Sequence, residues 1–374
     1  MASKKLRVGV IGVGSIATDE VHGHIPNYLR IPEVEVVALS DVNGRRARYV
    51  ADRFGIPYVF THYRDMLARV ELDAVSICTP NYLHAAIAVG CLQSGVHVLV
   101  EKPMALTSAD ARRMVETAHK HNRVLLVGMN NRFRDDVRAL KLIVSQGAIG
   151  EVYYLWAGWL RPTPHPQLGS WFTSKAQAGG GPLWDTGIVM LDLALWMLDF
   201  PEPESVFGVL FTELSEQIGG EGNPLIAPTE ESPYPVEDAA AALVRFKSGA
   251  AIRLDVSWVS RLKKTDDIYL CLDGTRGAAE LRNPVEGRKT LRVRGELFGT
   301  RMDLEPHIEE SDEPSHLREL QHFVDVCLGR AEPLVTPEQG LMGVQIVEAI
   351  YRSATTSRLV SFDEGLYQLG VEMA

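Results

Sequence analysis

The chain has 374 residues, too many for one small core, so two domains are expected. Hydrophobic residues make up 46% and charged residues 23%, and the formal net charge of -10 argues against nucleic acid or an anionic membrane as the main partner. No apolar leader or bilayer-length run is visible, and the spacing of Cys78, Cys91, Cys271 and Cys327 suits neither a zinc knuckle nor a disulfide framework, so a cytoplasmic protein with buried thiols and no metal is expected.

Residues 6–11 read as a short apolar strand, and Gly12-Val13-Gly14-Ser15-Ile16-Ala17 follows at once. This is G-x-G-x-x-A between a strand and a helix, the setting of a dinucleotide-binding turn. Gly12 permits the tight turn, Gly14 lets the backbone approach a pyrophosphate, and Ala17 lets the first helix pack closely. The N–H groups at the helix start, from Ser15 and Ile16, then face the phosphates. A second strand at 34–39 puts Asp41 just past its end, where an acid accepts from the ribose hydroxyls of NAD. Arg45 and Arg46 stand close behind and leave NADP as the alternative. Asp41 would repel the extra phosphate, so NAD is the first choice.

Helical patterns at 44–54 and 62–70 flank a short strand at 58–60, and the strand at 74–78 ends in Thr79-Pro80-Asn81. A helix at 82–93 carries His84, the strand at 97–100 ends in Glu101-Lys102-Pro103, and a helix at 108–121 leads to a strand at 124–128. This alternation predicts a parallel sheet with helices on both faces and a ligand crevice beyond the carboxyl ends of the strands.

The pattern changes after Gly128. A helix at 134–145, a long alternating strand at 151–159, a Pro/Gly-rich stretch and one strongly apolar helix at 182–198 come next. Strands follow at 204–214, 238–246, 250–259, 266–272, 277–282 and 289–295, with Gly249 and Gly274 in hairpin turns. Residues 215–235 read as a long polar excursion, 299–314 as acidic and irregular, and 315–328 and 337–353 as closing helices. The fold class expected is α/β: an N-terminal Rossmann domain over 1–130, then an α+β domain over 131–374 built on a large, mostly antiparallel open sheet, whose last helices are free to pack back on the first domain. Tyr154, Trp156 and Trp258 recur within its strands, either as core or as a subunit contact.

Taken together, Val10-Ile11-Gly12-Val13-Gly14, Thr79-Pro80-Asn81 with His84, Glu101-Lys102-Pro103, Gly128-Met129-Asn130-Asn131-Arg132-Phe133 and Gly179-Gly180-Gly181 leading into Asp185-Thr186-Gly187 make the chain resemble a known family over essentially its whole length. This is the glucose–fructose oxidoreductase / inositol dehydrogenase / rhizopine-catabolism family of NAD(P)-dependent oxidoreductases. The resemblance implies a sugar or polyol substrate and a homodimer or homotetramer formed through the second-domain sheet. It implies Lys102 as catalytic lysine, with Gly12, Gly14, Ser15, Ile16, Asp41, Thr79, Asn81, His84, Glu101, Lys102 and Asn130 around the cofactor. A lysine at the end of a central strand also suits the task independently, since it can hydrogen-bond a substrate hydroxyl and stabilise the developing alkoxide.

The family's second motif is Asp-x-Gly-x-His. Here Asp185 and Gly187 match and Val189 stands where the histidine is expected, so a proton carrier is missing. Asp185 is expected to bind substrate and assist catalysis, with Asp192 on the same helical face and His165, Trp171 and Lys175 in the preceding loop as further substrate contacts. Hydride transfer to or from a carbinol carbon is the leading function. A redox-assisted glycoside-cleaving enzyme and a silent nucleotide-binding regulator are the alternatives.

Overall fold

The computed structural model describes residues 5–162, 170–212, 236–260, 265–285, 288–297, 299–309 and 311–362. They form two compact units, one of Met1–Asp135, Ala176–Gly179 and Glu309–Val344, the other of Asp136–Lys175, Gly180–Ile308 and Gln345–Ala374.

The first unit begins with β1 (Leu6–Ile11), α1 (Ser15–Thr18), α2 (His24–Tyr28), β2 (Val34–Ser40), α3 (Gly44–Phe54), β3 (Tyr58–Phe60) and α4 (Tyr63–Arg69). It continues with β4 (Ala74–Ile77), α5 (His84–Gln93), β5 (His97–Glu101), α6 (Ser108–His121) and β6 (Leu125–Gly128). The strands lie in the order β3-β2-β1-β4-β5-β6, every pair parallel. Their apolar runs are buried on both faces, as a sheet covered by helices requires. The expected first helix is broken in two. The Asp19 carboxylate accepts from the N–H groups of Val21 and His22 at 3.0 and 2.7 Å, a turn that competes with helix continuation.

After the first unit's sheet come α7 (Asp135–Ser145), β7 (Val152–Leu160), α9 (Ile188–Met197), β8 (Pro203–Phe211), β9 (Ala239–Phe246) and β10 (Ala251–Ser257) of the second unit, Asp135 being counted with the first, while the short α8 (Lys175–Ala178) belongs to the first unit from Ala176 on. Next in the second unit are β11 (Asp267–Gly274), β12 (Gly277–Val285), β13 (Arg288–Leu297) and β14 (Thr300–Leu304); α10 (Ser315–Cys327) belongs to the first unit, α11 (Pro337–Thr356) to the first up to Val344 and to the second beyond it, and β15 (Val360–Ser361) to the second. The nine-stranded sheet has the order β14-β13-β12-β11-β7-β10-β9-β8-β15. Only β7 and β10 run parallel among its pairs. Leu155, Ala157, Ile252, Leu254, Leu270 and Leu272 are buried, and α9 packs on this side. The apolar side chains of α10, among them Leu320 and Phe323, join the core of the first unit.

Three sequence expectations change. The helix expected at 182–198 opens as a π-helical turn, Leu183–Gly187, before α9. Strand β14 lies inside the stretch read as irregular, and its mostly exposed side chains hide it, because an edge strand needs no apolar alternation. The two-residue turn between β11 and β12 is Thr275-Arg276, so Gly274 ends a strand instead of turning one. No described helix is long and apolar enough to cross a membrane.

Candidate functional site

The glycine turn follows β1 directly. Gly12 has φ +86°, and a Cβ there would lie 2.7 Å from the Cys78 carbonyl oxygen, so only glycine fits. A Cβ on Gly14 would point into open space, which leaves that side of the loop free for a close approach by a ligand. This pairing of one crowded glycine and one open one suits a pyrophosphate. Asp41 supports the loop from the end of β2: its carboxylate accepts from Val13 N at 2.9 Å and Asn43 N at 2.8 Å, and Arg46 Nη2 bridges both oxygens at 2.9 Å.

At the end of β5, Glu101 Oε1 lies 2.9 Å from His24 Nε2. His24 Nδ1 lies 3.0 Å from Ser76 Oγ, which lies 2.8 Å from the Tyr28 hydroxyl. Lys102, the next residue, is half-buried, and its backbone N–H donates to Glu101 Oε2 at 3.2 Å. The Lys102–Pro103 peptide is cis. Asn81 donates its amide to Ala178 O at 2.9 Å, and Asn130 donates to Ser315 Oγ at 3.1 Å. Thr79 Oγ1 is buried with no hydrogen-bond partner among the described residues.

His84 requires a correction. It is fully buried, with Nδ1 2.7 Å from Pro103 O and Nε2 2.8 Å from Thr79 O. Burial, the largest influence, takes its pKa below the ordinary histidine value despite the two carbonyls. Each ring nitrogen thus faces a backbone carbonyl, one of which accepts from the single N–H of the neutral ring, and neither is turned to a cofactor.

The second unit has its own polar cluster. Asp185 sits in the π-helical turn, an irregularity that recurs at functional sites. The N-terminal end of that turn is held by buried Glu237, whose Oε1 accepts from Tyr351 Oη at 2.6 Å and Leu183 N at 3.2 Å. Burial pushes the Glu237 pKa up. A Cβ on Gly181 would meet Glu237 O at 1.9 Å, which explains the glycine there. Asp185 Oδ2 accepts from Trp258 Nε1 at 2.9 Å and lies 3.7 Å from Arg161 Nη1. Trp258 is thus not a face aromatic of the sheet: one residue past β10, it is fully buried and turned toward Asp185. Tyr154 and Trp156 are half-buried on the opposite side of the sheet from the buried strand residues and meet edge-on at 4.7 Å.

Among the other expected contacts, Val189 and Asp192 are buried at 5% and 4% exposure on α9. Trp171 stacks on Phe172 at 3.9 Å, Lys175 is exposed at the start of α8, and His165 lies outside the described residues. Sequence reasoning missed His24 and Arg161 and took Trp258 only for a strand aromatic. Arg161 and Trp258 each lie at the end of a predicted strand, but nothing local in the sequence shows that the two strands run parallel and deliver both to one place.

A six-stranded 3-2-1-4-5-6 sheet with this glycine turn defines a dinucleotide-binding oxidoreductase domain, here joined to a large-sheet unit. The chain belongs to the GFO/IDH/MocA oxidoreductase family: its model for the NAD-binding Rossmann fold matches residues 6–129, and its C-terminal domain model matches residues 137–280. It is an NAD(P)-dependent oxidoreductase that binds NAD(H). It is similar to D-glucoside 3-dehydrogenase of Escherichia coli K12, with 33% identity across 96% of this chain and 98% of that protein. It is also similar to myo-inositol 2-dehydrogenase of Thermotoga maritima, at 28% identity across 96% of this chain and 99% of that protein. The aldose–aldose oxidoreductase of Caulobacter crescentus, solved with glycerol, shares the fold, with a TM-score of 0.79 and 24% identity over 96% of this chain and 100% of that one.

Proposed function

We propose that the enzyme is an NAD-preferring dehydrogenase of a neutral sugar, polyol or sugar derivative. The observation that carries this reading is the place of Lys102, directly after the carboxyl end of β5 in a parallel sheet whose β1 ends in the glycine turn. Similarity to dehydrogenases named for a glucoside and for myo-inositol supports the substrate class. Gly12, Gly14, Ser15 and Ile16 would hold the pyrophosphate, Asp41 the adenosine ribose, and Thr79, Asn81, Glu101 and Asn130 the nicotinamide half. Bound NAD supplies the acceptor for the hydride that leaves the carbinol carbon. Lys102 hydrogen-bonds the oxygen of that carbinol and takes its proton as the C–H bond breaks. Asp185 accepts a hydrogen bond from a substrate hydroxyl and fixes which carbon is presented. Trp171 and Lys175 supply flanking substrate contacts, with Asp192 as a candidate from its helical spacing to Asp185 and His165 from its place in the preceding loop.

The proposal extends to a homo-oligomer formed through the open face of the large sheet. Phe207, Val209, Phe211 and Leu243 are exposed there, and register places them on the face that carries Arg253 and Trp156. The deciding experiment follows NADH formation across a panel of aldoses, glycosides and cyclitols, with Lys102→Ala as control. Glycoside cleavage without net NADH would favour an eliminating enzyme instead.

A further inference from the structure

Arg161 follows directly on β7. Its N–H donates to Ser257 O at 3.0 Å and its carbonyl accepts from Ser260 N, so the backbone is held on both sides. The guanidinium carbon lies 4.9 Å from the centroid of the Trp159 ring, within cation–π range. Two carboxylates flank it, with Nη1 3.7 Å from Asp185 Oδ2 and Nε 3.6 Å from Asp266 Oδ2. Both distances are too long for hydrogen bonds, and Nε and Nη1 are buried without a hydrogen-bond partner among the described residues. Trp258 Nε1 donates to Asp185 Oδ2 and Trp159 Nε1 to Asp266 Oδ2, each at 2.9 Å. What remains is a fixed cation with two buried N–H groups short of an acceptor, a state that costs about 1–3 kcal/mol per group.

We infer that Arg161 is a substrate-binding residue that, together with Asp185, reads a pair of neighbouring hydroxyl groups. One substrate oxygen accepts from the Arg161 guanidinium while the adjacent hydroxyl donates to the Asp185 carboxylate. Two carboxylates already flank the guanidinium and would repel an anionic group brought up to it. The ligand class is therefore a neutral polyhydroxylated compound, not a sugar acid or a sugar phosphate. The inference rests on the functional reading above and adds to it the group that selects the hydroxyl pattern. Arg161 and Trp258 bring polar atoms to Asp185 from the sheet side, while Val189, one turn further along the helix, carries no polar side-chain atom.

The test compares wild type with Arg161→Met and Arg161→Lys. Four quantities are measured: NADH affinity, sugar binding to the NADH complex, steady-state kinetics on the best substrate with its monodeoxy analogues and its uronate, and melting temperature. NADH affinity should stay within about twofold. Loss of a hydrogen bond to a charged group should raise KM by about 10- to 100-fold in Arg161→Met, with kcat falling much less and Arg161→Lys recovering part of the loss. One monodeoxy analogue should lose a similar factor in wild type and nothing further in Arg161→Met, and the uronate should bind no better than the neutral sugar. A lowered melting temperature with unchanged KM would show a purely structural bridge and overturn the inference, as would a preference for the uronate. A wild type that binds no sugar or polyol overturns the functional reading and this inference with it. A wild type that binds sugar and an Arg161→Met that binds it equally well overturns the inference alone.

Discussion

His24 Nε2 lies 2.9 Å from Glu101 Oε1, and Glu101 immediately precedes Lys102 in the chain. Burial opposes the imidazolium, but neighbouring Cys78 and Glu101 outweigh it and hold His24 well above the ordinary histidine value. Burial also raises the Cys78 thiol, so that thiol is neutral near neutrality and Glu101 is the charged partner that counts. Burial raises Glu101 in turn, yet His24 first and then Lys102 and His316 bring it below the ordinary carboxyl value.

The sign of the pH dependence follows. The His24 contribution is complete below the ordinary value of 6.5 and is lost as pH rises through its higher folded value. The Glu101 contribution is present above 4.5 and is lost as pH falls through its lower folded value. Stability of the first unit should therefore decline on both sides of this window. Replacing His24 with Phe strands a buried carboxylate and should cost about 3–5 kcal/mol while flattening the alkaline limb. Denaturant titrations across pH check this, and an alkaline limb identical in His24→Phe and wild type would refute it.

Lys102→Ala should leave NADH affinity within a few-fold and reduce turnover by about 10²- to 10⁴-fold, the usual range for loss of a group that moves a proton in the transition state. Fluorescence titration with NADH and single-turnover rates separate the two quantities. Near-normal turnover would remove Lys102 from the chemistry.

NAD should be preferred over NADP. The Asp41 carboxylate is buried at 6% exposure between the glycine turn and Arg46, where it repels a 2′-phosphate more strongly than a solvated acid would. Because Arg46 pairs with Asp41 at 2.9 Å, Arg46→Ala should widen the preference by removing a cation able to compensate an added phosphate. Ratios of kcat/KM for the two cofactors measure this, and a narrowed ratio would show that Arg46 serves Asp41 alone.

The first unit was largely legible because strand, turn and helix signals recur at short range and parallel strands read as continuous apolar runs. Gly12, Asp41 and Lys102 each stand at a strand end, and strand ends are what hydrophobic patterning locates. The strands of the second unit were legible from alternation, but their pairing was not. The Arg161–Asp185–Trp258 cluster depends on β7 and β10 running side by side and on the π-helical turn, and none of these leaves a local mark. His24 was hidden for the same reason: its partners Ser76 and Glu101 are 52 and 77 residues away in sequence.

Asp185→Asn tests what the carboxylate does beyond filling space. The side chain keeps its volume, and its carbonyl oxygen can still accept from Trp258 Nε1, so the fold should hold. What changes is charge and polarity: an amide NH₂ replaces an acceptor oxygen, and the attraction to Arg161 3.7 Å away is lost. If Asp185 accepts a hydrogen bond from the substrate, kcat/KM should fall about 10- to 100-fold, while NADH affinity and melting temperature change little. Asp185→Ala should add a stability loss of about 1–3 kcal/mol, because the buried Trp258 N–H then has no acceptor at this position. Val189→His gives the complementary measurement. Val189 is packed on α9, so an imidazole there must either disturb that packing or turn toward Asp185. A gain in turnover with a new titration near neutrality would show that this valine had withheld a proton carrier. A loss of stability without change in the pH profile of kcat/KM would show that proton transfer already runs through Lys102 and has no use for a second group.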